Sequence, residues 1–165
     1  MHMLTTHSYK IPSYFQSSHP ITELGALVLF PTGNSVKIVL PLFCGKVSAG
    51  FASPADDYLE KKLDLNELLV KKPAATFFVR ATGDSMIGAG IHSNDVLVVD
   101  RSIQPIDGKV VIAAINSELT VKRLIKTSDD RWILKAENPD YPDIPLTDEL
   151  DLVIWGVVSN VIHQL

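Results

Sequence analysis

The sequence predicts a mostly β protein: a compact domain of short twisted sheets with one or two short helices, preceded by an extended N-terminal arm. Three observations carry this. From Thr76 onward, short runs rich in Val and Ile are separated by Gly, Pro, Asn and Asp. Before residue 41, Pro12, Pro20 and Pro31, with Gly25 and Gly33 between them, punctuate the chain too often for long helices. A helix start is read at one place, Asp64. With 165 residues the chain is long enough for one domain with a real core.

In chain order, the arm offers two apolar runs, Ala26–Phe30 and Val36–Leu40. They are expected to pair across the turn-like Pro31-Thr-Gly-Asn34. Residues 41–75 form a connector. Its first part, 41–55, contains Gly, Ala and Ser and is expected to be extended and accessible, the form in which a protease cleft binds a strand. Asp64-Leu-Asn-Glu67 reads as an N-cap carboxylate with Glu three residues on, opening a helix that carries Leu65, Leu68 and Leu69 and stops before Pro73. The charges from Asp56 to Lys72 read as a solvated face with pairs such as Glu67 and Lys71. Residues 76–165 form the β core. Strands are expected at 76–81, 96–100, 109–115, 118–125, 131–135 and 152–162, with Asn116-Ser117 as a tight hairpin connection.

Bulk properties narrow the function. The net charge of −4 argues against nucleic acid as the main ligand, because phosphate binding draws on a basic face. Hydrophobic residues make up 46% of the chain and mean hydropathy is +0.18, a surplus that points to apolar surface buried against a second copy. Cys44 is the lone cysteine, so no internal disulfide forms and a reducing cytoplasm fits. No stretch approaches the roughly 18 apolar residues of a membrane span, and no secretory signal pattern opens the chain.

The chemistry concentrates in two places. Ser85 lies in Gly83-Asp-Ser-Met86, and Gly83, Gly88 and Gly90 permit tight turns around it. Such a turn can aim the backbone N–H groups of Asp84 and Ser85 at one point, as an oxyanion hole requires. The commoner explanation of a serine at this position is a helix cap. Lys122 lies in Glu118-Leu-Thr-Val-Lys-Arg-Leu-Ile125, where alternation puts Thr120, Lys122 and Leu124 on one face. A lysine can take a hydroxyl proton only if burial keeps it neutral. The commoner explanation here is an exposed lysine on an edge strand, and spacing alone does not bring the two residues together. A Ser-His-Asp arrangement with His92 or His163 has no supporting motif. Metal binding is not expected, since the lone cysteine and scattered histidines lack ligand spacing. The Gly-Asp-Ser triplet is also similar to that of certain lipases and esterases, whose downstream Asp-x-x-His is missing here.

Taken in order, Pro41-Leu-Phe43, Gly50-Phe-Ala-Ser-Pro-Ala-Asp-Asp-Tyr58, Asp64-Leu-Asn-Glu-Leu-Leu69, Gly83-Asp-Ser-Met-Ile87, Asp95-Val-Leu-Val-Val-Asp100 and Thr120-Val-Lys-Arg-Leu124 make the chain resemble the LexA/UmuD family of self-cleaving Ser-Lys peptidases, UmuD-like members most closely. The resemblance implies a LexA/UmuD-type peptidase fold, Ser85 as nucleophile, Lys122 as general base and self-cleavage at Ala49-Gly50. Cys44-Gly45 is a decoy whose register against the flanking motifs is wrong. Cleavage would release 1–49 as the arm and leave 50–165 as the peptidase domain. The resemblance further implies a cytoplasmic homodimer in the SOS response, cleavage stimulated by RecA filaments on single-stranded DNA, and a processed form that joins the catalytic subunit of an error-prone translesion polymerase. No cofactor, no membrane and no direct sequence-specific DNA binding are expected. The alternatives are a LexA-like repressor, which needs DNA binding by the arm, and a polymerase-binding module without catalysis. Signal peptidase shares the dyad but needs a membrane anchor. The arm is longer than the UmuD pattern requires, so no family role carries over to residues 1–40.

Overall fold

The computed structural model describes Val28–Leu29, Ile38–Phe43, Leu59–Thr147 and Glu149–Leu165. These fall into two compact units. One contains Val28–Leu29 and the described residues from Lys72 to the C-terminus; the other contains those between Ile38 and Lys71.

The larger unit is built on one antiparallel sheet. Its strands are β1 (Val28–Leu29), β4 (Thr76–Arg80), β5 (Val96–Asp100), β6 (Val110–Ile115), β7 (Glu118–Lys126), β8 (Trp132–Lys135), β9 (Ile144–Pro145) and β10 (Leu152–Ile162), in the spatial order β1-β4-β5-β10-β6-β7-β8-β9. The mostly β expectation therefore holds, and the six strands expected after residue 75 form within a residue or so of their predicted ends. Asn116 and Ser117 both have positive φ (48° and 71°), the mirror-image turn whose twist suits a two-residue hairpin between β6 and β7.

Alternation along β6 explains how one sheet carries two cores. Ile112 joins Phe77, Val79, Met86, Leu97, Val99 and Trp155 on one side, while Val111 and Ala113 join Leu124, Leu134, Ile154 and Val157 on the other. Strand β10 reaches both clusters by breaking its own period. Ile154 pairs with Ala113 and Gly156 with Ile112, so Trp155 is an extra residue in a bulge, and the parity of the strand changes there. Trp155 packs edge-on against Phe77 with centroids 6.4 Å apart. Gly156 is required at this kink: a Cβ would lie 2.8 Å from Val99 Cγ1 and 3.2 Å from the Asp100 carbonyl oxygen.

The smaller unit holds β2 (Val39–Phe43), antiparallel to β3 (Leu59–Asp64), and α1 (Leu65–Leu69). Two expectations are corrected here. Among the described residues, the arm's apolar runs pair elsewhere than with each other: Val28 and Leu29 pair with Val79 and Phe78 of β4, and Val39–Phe43 pairs with β3. Strand β3 falls inside the stretch read as a solvated charged face, because Leu59-Glu-Lys-Lys-Leu-Asp64 has too few apolar positions to announce a strand. The helix does start at Asp64, whose Oδ1 accepts the Asn66 N–H at 2.8 Å, but it runs only five residues. Lys71 Nζ donates to the Glu67 carbonyl oxygen at 2.9 Å.

Candidate active site

The structure brings Ser85 and Lys122 into contact. Lys122 Nζ lies 2.9 Å from Ser85 Oγ, 3.1 Å from Thr120 Oγ1 and 3.1 Å from the Val121 carbonyl oxygen. Strand alternation positions the lysine. Lys122 pairs with Val111 in the β6–β7 ladder and shares its face with Thr120 and the fully buried Leu124. Only 6% of Lys122 is exposed, and burial holds its ammonium below the ordinary lysine pKa. The expectation of an exposed edge lysine therefore does not describe it.

The three contacts suit either charge state of Lys122, and the form that can act as a base is the neutral amine. Such a group has two N–H donors and one lone pair. It can donate to Thr120 Oγ1 and the Val121 carbonyl while accepting the Ser85 O–H, leaving no partner unused. An ammonium would instead donate to all three.

Ser85 arrives by a different route. It sits after Gly83 (φ 82°) and before the 3-10 turn Ile87–Ala89, which Gly90 ends in the left-handed region (φ 73°). The turn is fixed by Met86, 1% exposed in the core, and by a segment that the sequence reading did not single out. The Glu137 N–H donates to the Ser85 carbonyl at 2.9 Å, and the Gly88 N–H donates to the Glu137 carbonyl at 2.8 Å. Asn138 Nδ2 donates to the Asp84 carbonyl at 3.2 Å, and the Tyr141 hydroxyl donates to the Asp84 carboxylate. That bond, with the negative charge of Asp84, raises the Tyr141 phenol pKa. Arg123, the residue after the lysine, holds the Glu137 side chain at 2.5 Å and the Gly108 carbonyl at 2.7 Å. Gly88 is obligatory in this arrangement, because a Cβ would lie 2.4 Å from the Glu137 carbonyl oxygen.

Among the described residues, the backbone N–H groups of Asp84 and Ser85 have no hydrogen-bond acceptor. Ser85 opens onto a cavity of about 120 Å³ whose wall combines apolar side chains such as Leu97, Ile112 and Leu119 with the polar Arg80, Thr82 and Thr120. Also among the described residues, β7 meets β8 only at Arg123–Lys126, so the half of β7 from Glu118 to Lys122 has a ladder partner on the β6 side alone. Ala49 and Gly50 lie outside the described residues. Away from the site, His92, Asp95 and His163 converge, a grouping that spacing along the chain gave no reason to expect. No helix among the described residues is long and apolar enough to cross a membrane.

A serine hydroxyl bonded to a buried amine beside a small cavity of mixed polar and apolar lining has the makings of a serine hydrolase site that uses lysine in place of histidine. Comparison with known proteins narrows the class. The Peptidase S24-like family matches residues 41–159. Protein SamA of Salmonella typhimurium is 46% identical over 138 residues, which cover 84% of this chain and 95% of SamA. Protein MucA of Escherichia coli is 43% identical over 122 residues, 73% of this chain and 82% of MucA. The LexA repressor of Dechloromonas aromatica is 35% identical over 149 residues, 87% of this chain and 73% of the repressor. The chain belongs to the Peptidase S24-like family, as a UmuD-like member of the LexA/UmuD self-cleaving serine peptidases.

Proposed function

We propose that this protein is a self-cleaving endopeptidase of SOS mutagenesis that cuts its own Ala49-Gly50 bond with Ser85 as nucleophile and Lys122 as general base. The observation that carries the proposal is the 2.9 Å contact between Ser85 Oγ and a lysine nitrogen whose pKa burial lowers. Neutral Lys122 takes the Ser85 proton as Oγ bonds to the Ala49 carbonyl carbon. The N–H groups of Asp84 and Ser85 receive the oxyanion. The Lys122 ammonium then returns the proton to the Gly50 nitrogen, the C–N bond breaks, and an ester joins Ser85 to Ala49. Water, deprotonated by Lys122, attacks that ester, giving the Ala49 carboxylate and free Ser85.

The half-paired edge of β7 supports substrate entry by strand addition, since an extended connector could complete the ladder from Glu118 to Lys122. Small side chains at Ala49 and Gly50 suit a cavity of about 120 Å³. Family membership supports the wider setting: a cytoplasmic homodimer, cleavage stimulated by RecA filaments on single-stranded DNA, and a processed form, Gly50–Leu165, that joins an error-prone polymerase subunit. A filament that binds the cleavage-competent conformation preferentially would raise its population and needs to supply no catalytic group.

Intact-mass spectrometry after alkaline incubation, with and without RecA filaments, tests the proposal. A species beginning at Gly50 in the wild type, and missing in Ser85→Ala and Lys122→Ala, is the expected result. Cleavage that persists in both variants would overturn it.

A further inference from the structure

Outside the Ser85–Lys122 site, His92, Asp95 and His163 place one ring nitrogen each and a carboxylate oxygen within 4.8 Å of one another. We propose that these three residues form a binding site for a single borderline divalent cation of the Zn²⁺ type.

The donor set comes from two parts of the chain, the loop between Ile91 and β5 and the residue that follows β10, which are 68 positions apart. Asp95 anchors it. The residue is 2% exposed, its Oδ2 accepts the His92 N–H at 2.7 Å, and its Oδ1 lies 2.6 Å from His163 Nδ1. Burial pushes its carboxyl upward, but the bonds from His92 and His163 outweigh this and hold the pKa below the usual aspartate value. A negative charge therefore stands at the base of the cluster throughout the neutral range. The loop beneath it is tied to the core: the Ala81 N–H donates to the Asp95 carbonyl at 2.8 Å, and the Asn94 N–H donates to the Ala81 carbonyl at 2.9 Å.

The two imidazoles stand over this carboxylate with centroids 4.9 Å apart and planes tilted by 51°. His92 Nδ1 is 3.8 Å from Asp95 Oδ2. Both rings keep about half their side-chain surface exposed, 52% and 45%, so an ion has a path from solvent. Imidazole nitrogen and carboxylate oxygen are the ligands that borderline cations take, and a set of three leaves a position for water. Bonds of roughly 2.0–2.1 Å require donors nearer together than the present 4.8 Å span. Rotation of the two exposed rings about their side-chain torsions supplies that closure while Asp95 stays fixed. The cation would take the place of the hydrogen bond between His163 and Asp95 and bond each ring through a nitrogen lone pair.

Calorimetric titration of the full chain with Zn²⁺ alone tests this. The chain also carries His2, His7, His19 and Cys44, so the His92→Gln/His163→Gln double variant decides the origin of any binding. One equivalent is expected to bind the wild type, about 10-fold or more weaker in either single variant, and to be lost from the double variant. Ser85→Ala is expected to bind like the wild type, so the result is independent of self-cleavage. Asp95→Asn can fail to fold because the residue is buried. The two exposed histidine variants, checked by circular dichroism, carry the test without it. No binding by the wild type, or unchanged binding in the double variant, overturns the site.

Discussion

The two halves of the candidate active site are built by opposite means. Lys122 comes from the interior of a regular ladder, between its pairing with Val111 and the fully buried Leu124. Ser85 comes from an irregular turn that holds its shape through contacts with Glu137, Asn138 and Tyr141. The strand sets the chemistry of the base, because burial and strand neighbours control its charge. The turn sets geometry, because its clamps decide where the hydroxyl and the two N–H groups point. Perturbing the strand should therefore move the pH dependence of self-cleavage, and perturbing the turn should lower its rate at an unchanged midpoint.

The largest effect is expected from Lys122→Met. It removes the proposed base, so cleavage should fall by at least about 10³-fold at every pH, read by gel densitometry. Stability should move the other way. The folded pKa of Lys122 lies below the unfolded value, so the unfolded chain binds more protons between the two and wild-type stability rises with pH across that window. Methionine deletes this penalty. Thermal unfolding at pH 7 should shift upward by about 2–4 °C, with the gap from wild type narrowing as pH rises into the lysine range.

Next comes Gly88→Ala. Its Cβ would meet the Glu137 carbonyl at 2.4 Å and push the turn from its clamp. A rate loss of about 10–100-fold, with the midpoint kept, is expected, since small misplacements are costly to a positioned nucleophile. An equal rate in a folded variant would show that the clamp does not set the geometry.

Thr120→Val tests the strand more gently. It removes the acceptor 3.1 Å from Lys122 Nζ, and an ammonium loses more by this than an amine. The midpoint of the pH–rate profile should move to lower pH by about half a unit to one unit. The smallest effect is expected from Tyr141→Phe, which removes one exposed hydrogen bond to Asp84. A rate change of about two- to fivefold with no shift of midpoint is the expected outcome. Asn138, buried at 6% exposure, should matter more on substitution by Ala.

The same contrast explains what the sequence made legible. The face shared by Thr120, Lys122 and Leu124 follows from period-two alternation, and Asn116-Ser117 follows from turn chemistry, so the lysine half could be read locally. Its contact with Ser85 could not, because the two residues are 37 positions apart. The clamp on the turn was invisible for the same reason: Asn138 and Asp84 are 54 residues apart, and nothing periodic links them. Strand β3 was missed because its residues carry charge where a core strand would carry Val or Ile. The pairing of Val28–Leu29 with Val79 and Phe78 of β4 joins positions about 50 residues apart, which no local pattern announces. His163 joins His92 and Asp95 only through the return of β10 along β5.

The central claim is that Lys122 acts on Ser85 as a neutral base, and the pH–rate profile of self-cleavage in the purified wild type tests it most directly. The rate should rise tenfold per pH unit, as one proton is lost, and level off at an inflection below the ordinary lysine value of about 10.4. A flat profile across the alkaline range, in protein that still cleaves at Ala49-Gly50, would contradict it.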